Sequence, residues 1–189
     1  MLSSLILTAI LSISPLDGPR LAFPGHEETT AERGARYASI AADVATAVGA
    51  ACGDRGEACE RRAAALLLGL AWHESGFSPD TESPGGCWRG RDGKGPRCDS
   101  GRAATLWQMQ GSAEERALWL GDRVAAAREA LRRATRSLGA CRKLAPEERL
   151  AAYASGRCDN REGQRRAREL HAAVARASRA LPPLVQVTQ

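Results

Sequence analysis

The sequence predicts an all-α domain of five or six helices, and three observations carry that prediction. Alanine and arginine, both strong helix formers, set the texture of the chain. Apolar residues recur at three- and four-residue spacing in its long segments. Helix start and stop signals punctuate those segments. The 189 residues, 43% hydrophobic and 26% charged, suit one domain with its own core. Aromatics are only 4%, so that core must be built mainly of Ala and Leu.

In chain order, Leu2 to Ile13 is an apolar run too short to cross a bilayer and similar to a signal-peptide core. No Lys or Arg precedes it and no A-x-A site follows. Pro15, Gly18, Pro24 and Gly25 mark residues 14–28 as a linker, so residues 1–28 are expected to be leader and linker. Residues 29–50 read as an Ala-rich helix with Ile40, Val44 and Val48 on one face, and residues 60–75 as a second helix. Residues 78–102, rich in Gly, Pro, Asp and Ser, read as a long loop; such loops are unusual unless they line a site. The apolar stretch 103–110 fits a helix or a strand.

Ser112-Ala113-Glu114-Glu115 is a capping box that opens a long helix to about Leu138, with Gly139 as its stop. Pro146 suits the first turn of a helix running through Ser155. Residues 159–180 form a last amphipathic helix, closed by Pro182-Pro183. The expected domain is therefore 29–181, with a loose tail over 182–189.

The six cysteines, with an apolar N-terminus, point to an oxidising compartment. Nearest-neighbour pairing is expected: Cys52–Cys59, Cys87–Cys98 and Cys141–Cys158, each closing a loop between regular segments. A zinc site is not expected, because there is no C-x-x-C and the only histidines are His26, His73 and His171. No other metal or cofactor is expected either. The expected destination is periplasmic or extracellular, or delivery with a virion, and the expected form a monomer without a stable membrane span.

The net charge is +5, the pI about 9.1, and Lys94 and Lys143 are the only lysines. Basic surfaces attract nucleic acid, anionic lipid or bacterial cell wall, and charge alone does not choose among them. No Lys/Arg block is interleaved with aromatics, so nucleic acid is not an expected partner. Arg132-Arg133 and Arg165-Arg166 lie in helical patterns and read as solvated faces.

One residue stands out chemically. In Ala71-Trp72-His73-Glu74-Ser75-Gly76-Phe77, Glu74 ends an apolar segment and shares a helix face with Leu67, Leu70 and Ala71. A carboxyl at the rim of a buried face is hard to ionise, and a protonated carboxyl is what general-acid cleavage of a glycosidic bond needs.

Two further segments follow in order: Asp99-Ser100-Gly101-Arg102-Ala103-Ala104-Thr105-Leu106-Trp107-Gln108, and Leu150-Ala151-Ala152-Tyr153-Ala154-Ser155-Gly156. Together with His73 to Phe77 they resemble the soluble-lytic-transglycosylase-like family, related to goose-type lysozymes. Its members carry E-S-x-F or E-S-G-F after a helix, then G-A-x-G-L-x-Q, then A-Y-N-x-G. The resemblance covers about residues 60–157. It implies an all-α lysozyme-like fold and cleavage of the MurNAc–GlcNAc β-1,4 bond of peptidoglycan with a 1,6-anhydro product.

On that resemblance Glu74 matches the catalytic acid/base, Ser75 its hydrogen-bonding neighbour and Gln108 the groove-lining Gln. Tyr153 matches the Tyr near the catalytic acid, where a phenol can hydrogen-bond the carboxyl. Asp99, with Asp92 as substitute, stands where goose-type lysozymes have an acid that positions water, which keeps a hydrolase as the alternative. His73 has no family counterpart, and Phe77, Trp72 and Trp107 read as core. The chain departs from the motifs at Arg102, Thr105 and Ala154, where the family has Gly, Gly and Asn. Those departures leave open a second alternative, a catalytically weak peptidoglycan-binding module.

Overall fold

Nine consecutive residues of low polarity, Ala63 to Ala71, cannot all face one side of a helix, so the helix that holds them has to be surrounded. All nine are buried. The computed structural model describes residues 1–17, 20–23, 26–82 and 103–182. Among these run seven α-helices: α1 (Leu2–Ile13), α2 (Thr30–Cys52), α3 (Glu57–Ser75), α4 (Ala113–Gly121), α5 (Arg123–Ala140), α6 (Ala151–Ser155) and α7 (Arg161–Ala180). Two short antiparallel ladders accompany them: β1 (Arg20–Phe23) with β2 (His26–Glu28), and β3 (Ala103–Ala104) with β4 (Met109–Gln110). The protein is mostly helical, as its composition predicts.

Helix α3 is the axis, and α1, α2, α5 and α7 pack around it. The closest approach is to α7, made possible by Gly69. A Cβ there would stand 2.5 Å from the Val174 Cα and 2.6 Å from its backbone nitrogen, so no other residue fits without moving a helix. Gly in a helix interior costs about 1 kcal/mol relative to Ala. Close packing of two helix backbones offsets that cost.

Helix α2 opens on a capping box, with Thr29 Oγ1 accepting from the Glu32 amide and the Glu32 carboxylate accepting from the Thr29 amide. The same arrangement at Ser112 and Glu115 opens α4, as the sequence predicts. The long helix expected from there to Leu138 is two helices. Asp122 ends α4 and starts α5 in extended conformation, accepting from the Ala125 amide at 2.9 Å. An Asp offers the backbone an alternative partner to the helix ladder, and here that alternative wins. Helix α5 then runs past the expected stop at Gly139 to Ala140, before Cys141. The single helix expected from Pro146 to Ser155 is likewise divided, into a 3₁₀ turn (Pro146–Glu148) and α6.

Two disulfides join described residues. Cys52–Cys59 closes the α2–α3 connection with Cα atoms 5.8 Å apart. Cys141–Cys158 ties the end of α5 to the approach to α7, with Cα atoms 5.4 Å apart. Both are the pairings expected. Such cross-links stabilise by about 2–4 kcal/mol each, mainly by restricting the unfolded chain. The third expected pairing, Cys87–Cys98, lies outside the described residues.

The apolar segment read as a leader forms α1 and packs into the core through Ile6, Ala9, Ile10 and Ile13. The chain just beyond it is tied down by polar contacts: Ser14 Oγ lies 2.7 Å from Tyr37 Oη, and Arg33 donates to the Leu16 carbonyl at 3.2 Å. The segment read as a linker holds β1 and β2, whose pairing was not visible in runs this short. At the other end of the domain, Arg61 donates to the Leu181 and Pro182 carbonyls and holds the exit of α7 against α3. No helix among the described residues is long and apolar enough to cross a membrane.

Candidate active site

Glu74 lies in the last turn of α3, its side chain 11% exposed. The helix ends one residue later, at Ser75, because Gly76 takes the left-handed conformation (φ 59°) and its amide returns to the Trp72 carbonyl at 2.9 Å. Phe77 is also left-handed (φ 56°), costly for an aromatic residue, and four contacts hold it there. Its ring is buried against Tyr37 and Trp72, with centroids 5.9 and 6.0 Å away. Its amide donates to Ser75 Oγ at 3.2 Å. Its carbonyl accepts from Arg36.

Arg36 is itself fixed by Glu28, at 2.6 Å through Nε and 2.8 Å through Nη2. Fully buried Arg33 reaches the same carboxylate at 3.3 Å. Burial alone would push the Glu28 carboxyl up, but the hydrogen bonds and charges of Arg36 and Arg33 outweigh it and hold the group below the usual carboxylate range. A clamp from β2 and α2 thus fixes the turn that carries Glu74.

The far wall comes from the β3–β4 hairpin. Its four-residue turn, Thr105 to Gln108, closes through the Gln108 amide on the Thr105 carbonyl at 3.1 Å. Leu106 and Trp107 are buried, and the Trp107 indole donates to the Leu67 carbonyl of α3 at 3.0 Å. Thr105 adopts φ 70° and is 2% exposed. Glycine reaches such a φ without strain. A β-branched residue there is strained by about 1–3 kcal/mol.

A cleft of about 890 Å³ opens between these walls. Glu74, Gln108, Met109, Tyr153 and Ala154 line it, together with Arg132, Arg133, Arg136 and Arg166. Glu74 is the one acidic group among the described lining residues. The sequence-predicted residues meet here in part. Gln108 lines the cleft with its side-chain amide on the Thr105 carbonyl at 2.9 Å. Tyr153 lines it too, but its hydroxyl donates to the Trp107 carbonyl at 3.1 Å and not to Glu74 as expected. Burial, and then the Glu74 charge, push that hydroxyl up, so it stays a donor.

Ser75 points back into its own helix end, donating to the Ala71 carbonyl at 2.8 Å, which is a structural role. Asp99 and Asp92 lie outside the described residues. No group of three or more His, Cys, Asp and Glu suited to a metal ion occurs among the described residues.

Glu74 is not left in the apolar setting that its helix face suggests. Arg166 Nη2 reaches both carboxylate oxygens, at 3.3 and 3.2 Å. His73 Nδ1 stands 3.7 Å from Oε1, within ion-pair range but too long for a hydrogen bond. His73 Nε2 faces Glu169 at 3.5 Å on its other side. The Glu74 carboxylate raises the His73 imidazole above its ordinary value, burial opposes, and Glu169 adds to the rise.

Sequence reasoning missed Arg166, which read as part of a solvated face. The signal was present: Arg166 falls between Gly163, Ala167 and Leu170, the buried stripe of α7. Arg165, one residue away, fits the solvated reading and pairs with Glu162 and Glu169 on the surface. Comparison of the chain with protein-family models, with curated proteins and with solved structures gave no match in any of the three.

Proposed function

We propose that this protein is a peptidoglycan lytic transglycosylase that cleaves the MurNAc–GlcNAc β-1,4 bond, with Glu74 as its single acid and base. One observation carries the reading: residues from three separate segments, Glu74, Gln108 and Tyr153, line one cleft together with four arginines. Those are the three motifs of the family resemblance, and the arginines suit a polymer whose stem peptides carry carboxylates.

Protonated Glu74 donates to the glycosidic oxygen as the C1–O bond breaks. The carboxylate that remains takes the proton from the C6 hydroxyl of MurNAc, whose oxygen bonds to C1 and closes the 1,6-anhydro ring. The proton returns to Glu74, and no water is consumed. General acid–base help of this kind contributes about 10²–10⁴-fold. Tyr153 and Gln108 hold the hairpin turn that faces the acid. The two disulfides support export to an oxidising compartment.

The test is Glu74→Gln, assayed for clearing of purified sacculi and for sedimentation with them. The expected result is that clearing falls by about 10²–10⁴-fold while sedimentation is unchanged. Clearing at the wild-type rate would remove Glu74 from the mechanism. Sedimentation without clearing by either protein would leave a binding module.

A further inference from the structure

An acid that must donate a proton cannot do so while it remains the ionised partner of a guanidinium. The Glu74–Arg166 pair therefore has to open before the proposed chemistry begins, and its geometry suits opening. Arg166 offers a single nitrogen to both oxygens at 3.2–3.3 Å, longer than the 2.6 and 2.8 Å contacts of Arg36 with Glu28. Strong charge-assisted pairs are shorter and use both arms of the fork. The other nitrogen, Nη1, reaches only the Ala154 carbonyl, at 3.5 Å. Arg166 is also the exposed member of the pair, at 38% against 11% for Glu74. It is the more exposed partner and is weakly held.

We propose that Arg166 is a substrate-sensing residue: it pairs with Glu74 in the free protein and passes to a carboxylate of the stem peptide when a glycan strand enters, which frees Glu74 to take up the proton it donates. The inference rests on the transglycosylase reading above. Among the described residues, the charged groups near Glu74 fit the exchange. From α7, Arg166 is the one cation in hydrogen-bonding contact with it, and Glu169 faces the far side of His73. From α3, His73 contributes a second, more distant charge at 3.7 Å. From α6, Tyr153 is committed to the Trp107 carbonyl.

From α5, Arg132 and Arg133 are committed to Glu129, and Arg133 also to the Gln110 carbonyl. Arg136 also lines the cleft. At Arg166 an incoming carboxylate competes with Glu74, the one charged side chain that Arg166 contacts among the described residues, and the local positive charge falls by one when it succeeds. Glycans without carboxylates would leave the pair closed.

The test compares wild type, Arg166→Gln and Arg166→Lys on native sacculi and on sacculi whose carboxyls have been amidated, across pH. Wild type is expected to cleave native wall about tenfold faster than amidated wall, the value of one charge-assisted contact. Arg166→Gln is expected to lose that preference and to remain active to higher pH, and Arg166→Lys to keep part of it. Arg166→Gln with the wild-type preference and pH profile would overturn the inference.

A second measurement does not depend on cleavage. The ¹³C signal of the Glu74 carboxyl is followed while an N-acetylmuramyl peptide with a free carboxylate, or its amide, is added. Movement with the acid alone, absent in Arg166→Gln, supports the exchange; no movement in wild type sinks it. If wild type cleaves neither wall but the signal moves, the transglycosylase reading fails and the carboxylate site at Arg166 stands.

Discussion

Thr105 is where a single residue and its backbone disagree most. Its φ of 70° is one that Gly adopts freely and a β-branched residue resists. Thr105→Gly removes a strain of about 1–3 kcal/mol and costs about 0.5–1 kcal/mol in chain entropy. The weak 3.4 Å contact from the Trp107 amide to Thr105 Oγ1 is also lost. The variant is expected to melt at a higher temperature than wild type, and a lower melting temperature would show that the hydroxyl matters more than the strain.

Glu28 makes a second residue-level prediction. Its folded value lies below the unfolded 4.5, so its stabilisation is present above that pH and is lost as pH falls through the folded value. Glu28→Gln leaves Arg33 buried without its ion-pair partner and is expected to cost about 3–5 kcal/mol at neutral pH. Denaturant melts should show that gap shrinking below about pH 4.5. A gap independent of pH would assign the cost to packing. Of the residues around the candidate acid, Glu74 was legible because an acid ends an apolar run. The place of Arg166 beside the buried stripe of α7 was legible too, but its pairing with Glu74 was not, because a contact across ninety-two positions leaves no local trace in one sequence.

Among the elements, helix existence was easier to read than helix limits. The capping box at Ser112 and the spacings Cys52–Cys59 and Cys141–Cys158 were local signals and held. The break at Asp122 was missed because Gly121-Asp122 interrupts a pattern that is otherwise helical on both sides. The α3–α7 contact makes the prediction at this scale. Gly69→Ala inserts a methyl against the Val174 backbone, where no rotamer can give way. It is expected to destabilise by about 1–3 kcal/mol, read as a lower midpoint in denaturant, although Ala is the better helix former. An unchanged or higher midpoint would show that the two helices separate at little cost.

At the scale of the whole molecule, composition was enough for a mostly helical protein with a small-residue core, and the nine buried residues of α3 are its clearest expression. What composition could not supply was the role of the N-terminal segment. The same apolar run serves a leader or a packed helix, and its contacts with α2 and α7 appear only in three dimensions. The excess of arginine was legible in the composition. The gathering of Arg132, Arg133, Arg136 and Arg166 in one cleft with Glu74 was not, since they come from two helices.

The central claim is that Glu74 acts as both acid and base on a peptidoglycan strand. The measurement that tests it most directly is mass spectrometry of muropeptides released from purified sacculi by wild type, with Glu74→Gln beside it. A transglycosylase gives products lighter by one water than reducing-end muropeptides, and only with wild type. Reducing-end products from wild type would contradict the single-residue mechanism and make water the acceptor, with Asp99 as the residue to examine next.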